Sequence, residues 1–259
     1  MCFDLDSRPP IAAIAGGALD HESLTLAAAD GTSFRAFRAR AAQPSGAGML
    51  VLPDVRGLHP YYEELALRFA EAGVDAVAID YFGRTAGTAE RADDFDHQPH
   101  IGQVAWASLQ QDIRAGVEAL RADGRVRSAF TVGFCFGGRT SYDSATLGLG
   151  LAGVVGFYGW PVGESRGGVP APIDELGRFE CPVLAIFGGA DQGIPTAAAQ
   201  SFDAALRAAG VEHETWIAPD APHSFFDRKA AEFQAQSDEA WRRVRDFIER
   251  HARQRPAGR

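Results

Sequence analysis

Short apolar runs alternate with amphipathic segments along most of the chain. The runs have the length and near-continuous hydrophobicity of strands buried on both faces of a sheet. They lie at residues 49–55, 75–82, 152–158, 182–188 and 213–218, and one more begins at residue 129. This pattern predicts a mostly parallel sheet.

The segments between these runs carry apolar residues at helical spacing. One helix is expected to begin at Pro60 and to end near Gly73, and another covers residues 104–123. A third is expected at 196–209, and a terminal helix presents Trp241, Val244 and Ile248 on one face. Strands that alternate with helices in this way predict an α/β fold, with a parallel central sheet flanked by helices.

The chain opens differently, with two strand-like segments at 21–28 and 33–40. They flank the dipeptide Asp30-Gly31, which tolerates the positive φ of a tight turn. An N-terminal antiparallel hairpin at the edge of the sheet is therefore expected.

Length and composition favour one large domain over residues 1–259. The 259 residues are 46% hydrophobic, which is enough for a full core, and the chain shows no internal repeat or disordered linker. The glycine- and proline-rich stretch 160–179 is expected to be a long surface loop that serves as a lid or a rim.

The net charge of −9 argues against nucleic-acid binding, which needs clustered Lys and Arg. The acidic start and the lack of an apolar run of about 18 residues predict neither export nor membrane insertion, and so a cytoplasmic protein. The cysteines, Cys2, Cys135 and Cys181, are too few for a disulfide framework, which leaves Cys135 available as a thiol.

Candidate chemistry centres on Gly133-x-Cys135-x-Gly137, where an apolar strand meets the start of a helix. α/β hydrolases place their nucleophile on such a sharp turn, because glycines on both sides let the backbone come close and expose the central side chain. The motif predicts acyl chemistry through Cys135. The alternative is that Cys135 is a small buried hydrophobic residue.

A thiol nucleophile needs a base, and the base needs a carboxylate to orient it. Asp191 follows the strand at 182–188, and His223 follows the strand at 213–218. The carboxyl ends of parallel strands meet at one edge of a sheet, so both side chains are expected beside Cys135 in the order nucleophile, acid, histidine. The alternatives are a turn or cap role for Asp191 and a structural role for His223.

Two other patterns are weaker. Ser165 sits in Gly-x-Ser-x-Gly, but Pro170 and Pro172 forbid the helix that a nucleophile turn requires, so Ser165 is interpreted as a loop residue. The acidic loop 90–100 contains two histidines, yet Pro99 prevents a helical ligand face, and neither a metal nor a cofactor is expected.

A developing oxyanion needs two hydrogen-bond donors. The first is expected to be the backbone N–H of Phe136, at the start of the helix after Cys135. The second is expected in the turn after the strand at 49–55, from the backbone N–H of either Val55 or Arg56.

The turn around Cys135 and the surroundings of Asp191 and His223 resemble the dienelactone hydrolase family, a cysteine-dependent branch of the α/β hydrolases. The resemblance implies attack by a thiolate on a lactone or ester, a thioester intermediate and hydrolysis by water. It also implies that Asp54 gates the resting thiol, although the family's best-studied members carry glutamate there. A turn or cap role for Asp54 stays open.

Family members hold substrate carboxylates with arginines, and the resemblance implies this role for Arg84. The second arginine is either shifted to Arg228 or missing, which weakens the case for dienelactone itself as substrate. A solvated or ion-paired loop position is the alternative for both.

The sequence thus predicts a cysteine-dependent hydrolase of small esters or lactones, working as a monomer or small homo-oligomer. A non-catalytic ligand-binding or sensing protein on the same fold is the alternative.

Overall fold

A computed structural model of the chain describes residues 3–4, 6–92 and 94–252. Met1 and Cys2 lie outside the described residues, as does Asp93 of the acidic loop.

The described strands form one eight-stranded sheet. In chain order they are β1 (Ala18–Ala27), β2 (Ser33–Ala41), β3 (Ala47–Leu52), β4 (Asp75–Ile79), β5 (Ser128–Phe134), β6 (Gly153–Phe157), β7 (Val183–Gly188) and β8 (His213–Ala218). Their spatial order is β1-β2-β4-β3-β5-β6-β7-β8. The pairs β1–β2 and β2–β4 are antiparallel, and the five pairs from β4–β3 to β7–β8 are parallel. The mostly parallel sheet and the N-terminal hairpin are confirmed.

Helices follow most of the parallel strands. They are α1 (Pro60–Glu71), α2 (Gly83–Ala86), α3 (Gln98–Ile101), α4 (Trp106–Arg121), α5 (Phe136–Ser144), α6 (Thr196–Ala208) and α7 (Gln234–Ala252). The expected loop at 160–179 has no long element, only three short 3₁₀ turns between residues 166 and 178. The flanking helices of the predicted α/β fold are thus confirmed.

One strand is shorter than its hydrophobic run. The run continues to Val55, but β3 ends at Leu52, since the next residue, Pro53, has no N–H to donate to the ladder. The residues from Pro53 to His59 therefore form a loop at the carboxyl edge of the sheet instead of the end of a strand.

The strand order places this loop beside the Cys135 turn. After β3 the chain moves outward to β4, and after β5 it moves in the opposite direction to β6. Between two neighbouring strands whose connections leave in opposite directions, a crevice opens at their carboxyl ends. The crevice between β3 and β5 is bordered by the loop after Leu52 and by the turn after Phe134.

The core is continuous through the sheet. Every residue of β3, β4, β5, β6 and β7 is buried, as expected for strands covered on both faces. Helix α1 buries Tyr62, Leu65 and Phe69, the residues that its spacing places on one face. Within the described chain, no helix combines the length and the apolar character needed to cross a bilayer.

Candidate active site

Cys135 lies on a strained turn between β5 and α5. Its φ of 55° and ψ of −113° are unusual for a residue with a side chain, and its N–H donates to the carbonyl of Phe157 on the neighbouring strand. Strained backbone of this kind persists only where the surrounding structure enforces it, and it is concentrated at functional sites. The Cys135 side chain is half-buried and lines a cavity.

Two glycines make the turn possible. A Cβ atom added to Gly133 would lie 1.8 Å from the carbonyl oxygen of Gly137, and one added to Gly137 would lie 2.1 Å from the carbonyl oxygen of Leu52. Both distances are far shorter than a van der Waals contact, so a side chain at either position would push α5 away from β5 or β3. The glycines that the motif predicts are therefore required by backbone contact.

His223 and Asp191 lie at the same edge of the sheet, as their positions after β8 and β7 predict. Nδ1 of His223 is 2.7 Å from Oδ2 of Asp191, and His223 also hydrogen-bonds to the Cys135 thiol. The other carboxylate oxygen of Asp191 accepts the N–H groups of Gly193 and Ile194, at 2.8 and 3.0 Å. The carboxylate is thus held from both sides, which fixes the imidazole ring.

The electrostatics of this group favour a charged imidazole. Burial lowers the pKa of His223, but its hydrogen bonds to Asp191 and Cys135 and the negative charges of both residues outweigh burial and raise the pKa to about 9. Burial raises the pKa of Asp191, but the hydrogen bond and charge of His223 lower it further, below its ordinary value. The imidazole of His223 is consequently protonated near neutral pH, beside the sulfur of Cys135.

Asp54 lies in the loop after β3 with its side chain buried. Its two oxygens accept the backbone N–H groups of Arg56, at 2.9 Å, and of Phe3, at 3.2 Å. Burial raises the pKa of Asp54 to about 7, helped by the negative charge of Cys135 and opposed by the two backbone donors. Asp54 therefore titrates near neutral pH, close enough to Cys135 for their charges to interact.

The two expected oxyanion donors border Cys135. Phe136 is the first residue of α5, where a backbone N–H has no partner within the helix, and both Phe136 and Val55 line the cavity. The N–H of Arg56, the other candidate, already donates to Asp54. Val55 is therefore better suited than Arg56 to donate to a ligand.

The cavity has a volume of about 900 Å³ and contains Cys135, Asp191 and His223 in its wall. Most of the remaining wall is apolar or aromatic, as is usual for small-molecule sites. These wall residues include Tyr158, Trp160, Ile194 and Pro222. The charged side chains among the other lining residues are Arg139, Glu164 and Arg166.

Neither arginine expected to bind substrate is among the residues that line this cavity. Arg84 lies between two carboxylates, with Nη1 2.6 Å from Asp112 and Nη2 2.8 Å from Asp30. Arg228 has Nη2 2.7 Å from Glu64. Both guanidinium groups are thus engaged in ion pairs, which is the alternative that the sequence left open.

Two residues of the cavity were not expected from the sequence. Ser165 is a loop residue, as predicted, yet it is half-buried and lines the cavity. Arg139, four residues after Cys135, is 1% exposed and also lines it. A basic residue in a helix of mostly small and aromatic residues was the available signal for Arg139, but no spacing rule connects it to the rim of the cavity.

No metal site adds to this arrangement among the residues that the structure describes, since no three His, Cys, Asp or Glu side chains lie together suitably. The chemistry that the cavity can perform is that of a thiol with an adjacent, oriented imidazole. Such a pair can attack a carbonyl carbon and can later activate water.

Known proteins resemble this chain in sequence and in fold. The model of the dienelactone hydrolase family matches residues 34–252. A protein of Methylorubrum extorquens with the provisional name carboxymethylenebutenolidase is 28% identical over 208 residues, which are 78% of this chain and 72% of the relative. A protein of the same provisional name from Escherichia coli K12 is 28% identical over 232 residues, or 85% of this chain and 84% of the relative.

A solved structure shares the fold. The crystal structure of a dienelactone hydrolase, also provisionally named, from Klebsiella pneumoniae has a TM-score of 0.76 with 24% sequence identity. The alignment covers 89% of this chain and 99% of the Klebsiella chain. At this identity the likeness is one of fold.

Proposed function

The chain belongs to the dienelactone hydrolase family and is a hydrolase of carboxylic esters, and from that premise we propose that Cys135 is its nucleophile. The observation that carries the proposal is the position of His223, which hydrogen-bonds to Asp191 on one side and to Cys135 on the other. The proposed substrate is a small ester or lactone. The names of the relatives add the lactone class, since a butenolide is an unsaturated lactone.

The first step is attack on the substrate carbonyl. His223 holds the proton of the Cys135 thiol, and Asp191 stabilises the imidazolium and keeps its ring in place. The sulfur of Cys135 forms a bond to the carbonyl carbon, and the carbonyl π electrons move to the oxygen. The raised pKa of His223 supports this resting state, because it favours a protonated imidazole beside a thiolate.

The oxyanion formed in this step needs fixed donors. We assign them to the backbone N–H groups of Phe136 and Val55, which belong to separate elements at the crevice. The N–H of Arg56 is not assigned, since it is already the donor to Asp54.

Collapse of the tetrahedral intermediate completes the acylation. The carbon–oxygen bond of the ester breaks, His223 gives its proton to the leaving alkoxide, and the acyl group stays on Cys135 as a thioester. His223 then takes a proton from water, which attacks the thioester carbonyl. The carbon–sulfur bond then breaks, and the sulfur leaves as the thiolate beside the protonated His223. The overall products are the alcohol and the carboxylic acid, so atoms and charges balance without a cofactor and the resting state is restored.

We propose that Asp54 controls how much thiolate is present in the empty enzyme. Its side chain is shorter than glutamate, but the contribution of the Cys135 charge to the raised pKa of Asp54 supports the proximity of the two groups. An ionised Asp54 disfavours a second negative charge on Cys135, whereas a protonated Asp54 does not. The pKa of about 7 allows both forms near neutral pH.

The experiment that tests the nucleophile is trapping of the acyl-enzyme. The protein is mixed with an activated ester, p-nitrophenyl acetate, and followed by intact mass spectrometry. A transient acetyl adduct on Cys135 is expected, which then disappears as p-nitrophenol continues to be released. Cys181 is a buried cysteine outside the cavity, so Cys181→Ala is the matched control and should behave like the wild type.

Cys135→Ala should lose both the adduct and the turnover. Turnover that survives in Cys135→Ala would contradict the proposal, as would an adduct found on another residue. Saturable binding of a lactone without any acylation would instead favour the non-catalytic binding protein.

A further inference from the structure

Arg139 makes an unusual set of contacts for a buried charged residue. It belongs to α5 and is 1% exposed, yet no carboxylate within the described chain hydrogen-bonds to it. Its guanidinium donates to main-chain carbonyls instead. The acceptors are Trp160, Val162, Gly163, Val169 and Pro170, at distances from 2.7 to 3.4 Å.

All these carbonyls belong to residues 160–170, which we call the rim segment. The rim segment contains no helix or strand beyond a 3₁₀ turn at Arg166–Gly168. The Arg139 side chain is buried beneath this segment, and the carbonyls that face it are shielded from water there. Such carbonyls need partners, since an unpaired buried carbonyl costs about 1–3 kcal/mol. Arg139 supplies several of those partners from one side chain with a planar, fixed set of donors.

The rim segment also forms one wall of the cavity around Cys135. Trp160, Glu164, Ser165 and Arg166 line the cavity from this segment. Opposite contacts come from Val55 and Ile194, which belong to other loops at the carboxyl edge of the sheet. Where this wall stands relative to Cys135 therefore decides which acyl or alcohol groups fit.

The backbone around Arg139 ties the wall to the nucleophile turn. Gly159, just before the rim segment, lies so close to α5 that an added Cβ would be 2.5 Å from the Arg139 nitrogen. The N–H of Arg139 in turn bonds to the carbonyl of Cys135, at 3.2 Å. One side chain thus connects the turn that holds the nucleophile to the wall that faces it.

We propose that Arg139 is a positioning residue that sets the substrate range of Cys135 by holding the rim segment at a fixed place. The proposal rests on the function proposed above. With Arg139 in place, a bulky ester finds a preformed surface against Trp160 and its neighbours. Without it, the wall is free to move, and binding of a bulky ester must order the segment first.

A small ester does not depend on this wall. The groups that act on an acetyl ester are Cys135, His223 and the oxyanion donors. None of them is held in place by the side-chain hydrogen bonds of Arg139. Loss of Arg139 should therefore raise KM for bulky esters and leave the kcat and KM of small esters much less affected. A general loss of folding would reduce both alike.

The test compares p-nitrophenyl acetate with p-nitrophenyl octanoate on the wild type, Arg139→Ala and Arg139→Lys. For Arg139→Ala, kcat/KM for the octanoate should fall about tenfold more than for the acetate, which corresponds to about 1.4 kcal/mol, and mainly through KM. Guanidinium chloride at a low, non-denaturing concentration should restore part of the lost selectivity. Arg139→Lys keeps the charge and some donors and should lie between the two.

Arg178→Ala is the matched control. Arg178 follows the rim segment, is 64% exposed in its side chain and pairs with Glu175, so its removal should change neither selectivity nor the response to guanidinium. The proposal would be overturned if kcat/KM fell by the same factor for both esters in Arg139→Ala and Arg139→Lys, or if it did not change for either ester.

If Arg139→Ala does not fold, the proposal is tested with Arg139→Lys and Trp160→Ala instead. Trp160→Ala removes wall surface while Arg139 keeps all its carbonyl partners, and it should lower octanoate turnover more than acetate turnover. Equal turnover ratios in the wild type, Trp160→Ala and Arg139→Lys would overturn the proposal. Failure of the nucleophile proposal is separate, because it is seen in the wild type as the lack of an acyl adduct on Cys135.

Discussion

Asp54 shows how a single residue can be both a structural and a chemical group. Its carboxylate accepts two backbone N–H groups, which is the turn role that its type favours in a loop. The same carboxylate is buried next to Cys135, and its pKa is raised to about 7. The proposed gating role is compatible with the turn role, because the backbone donors hold the carboxyl near enough to Cys135 for their charges to interact.

Replacing Asp54 by asparagine should make Cys135 react at lower pH. In the wild type, Asp54 gains a negative charge as the pH rises through about 7, and this charge disfavours the thiolate. The amide of Asp54→Asn stays neutral, so the thiolate forms without that opposition. The rate of alkylation by iodoacetamide, measured by intact mass across the range from about pH 5 to about pH 9, should rise earlier in the variant.

Asp220→Asn removes an exposed carboxylate and serves as the control, with an alkylation profile like that of the wild type. If Asp54→Asn and the wild type give superimposable profiles, Asp54 has no part in gating the thiol.

The sequence predicted Cys135, Asp191 and His223 as neighbours because each follows a strand, and strand ends share an edge. It did not predict the partners of Arg84. Asp30 and Asp112 are separated from Arg84 by 54 and 28 positions, and the contact depends on how the hairpin and α4 lie beside α2. Side chains that bind across elements in this way leave no periodic pattern in the sequence.

At the scale of elements, the segment before β1 differs most from what the sequence predicts. Hydrophobic patterning predicted no element before β1, and the described residues there form neither a helix nor a strand. Yet Phe3 is 2% exposed, and its ring stacks on Tyr61 with centroids 3.9 Å apart. Its N–H donates to Asp54, so the segment reaches the loop beside the cavity.

Phe3→Ala should destabilise the protein strongly. Truncation of a buried phenylalanine typically costs about 3–5 kcal/mol, because it leaves a cavity as well as losing buried apolar surface. Urea unfolding should show this loss. Ile14→Ala, in the same N-terminal region but 56% exposed, should change the free energy of unfolding by less than about 0.5 kcal/mol.

An equal effect of the Phe3 and Ile14 substitutions would mean that Phe3 does not belong to the cooperative core. The signal for its burial was too short for pattern analysis, since a single aromatic residue before a proline-rich stretch has no period. The predicted strands and long helices, by contrast, had enough turns or alternations to be recognised. The observed ends of these elements differ from the predicted ones where a particular residue ends the element early, as Pro53 does for β3.

For the molecule as a whole, buried carboxyl groups with a raised pKa make folding stability fall as the pH rises. The buried His59, whose pKa burial lowers to about 3, acts in the opposite direction below about pH 6.5. Burial raises the pKa of Asp112 to about 6 and that of Asp143 to about 8, and Asp54 titrates at about 7. The folded protein therefore binds more protons than the unfolded chain between about pH 4 and about pH 8. His223, with its pKa raised to about 9, continues this trend to higher pH. Folding stability should fall as the pH rises across this range.

Asp143 allows the trend to be tested away from the cavity, since it is not among the lining residues. It is 1% exposed, and neither of its carboxylate oxygens has a hydrogen-bond partner within the described chain. At a pH well below about 4, Asp143 is protonated in both the folded protein and the unfolded chain, and Asp143→Asn should have a stability similar to that of the wild type. As the pH rises towards about 8, the free energy of unfolding of Asp143→Asn should increase relative to that of the wild type, by up to about 1.4 kcal/mol for each pH unit. The reason is that only the wild type must either keep a proton on this side chain or bury its charge.

Urea unfolding at about pH 5 and about pH 8.5 measures the difference, with Asp220→Asn as the exposed control. A stability difference between Asp143→Asn and the wild type that is the same at both pH values would show that Asp143 does not contribute to the pH dependence.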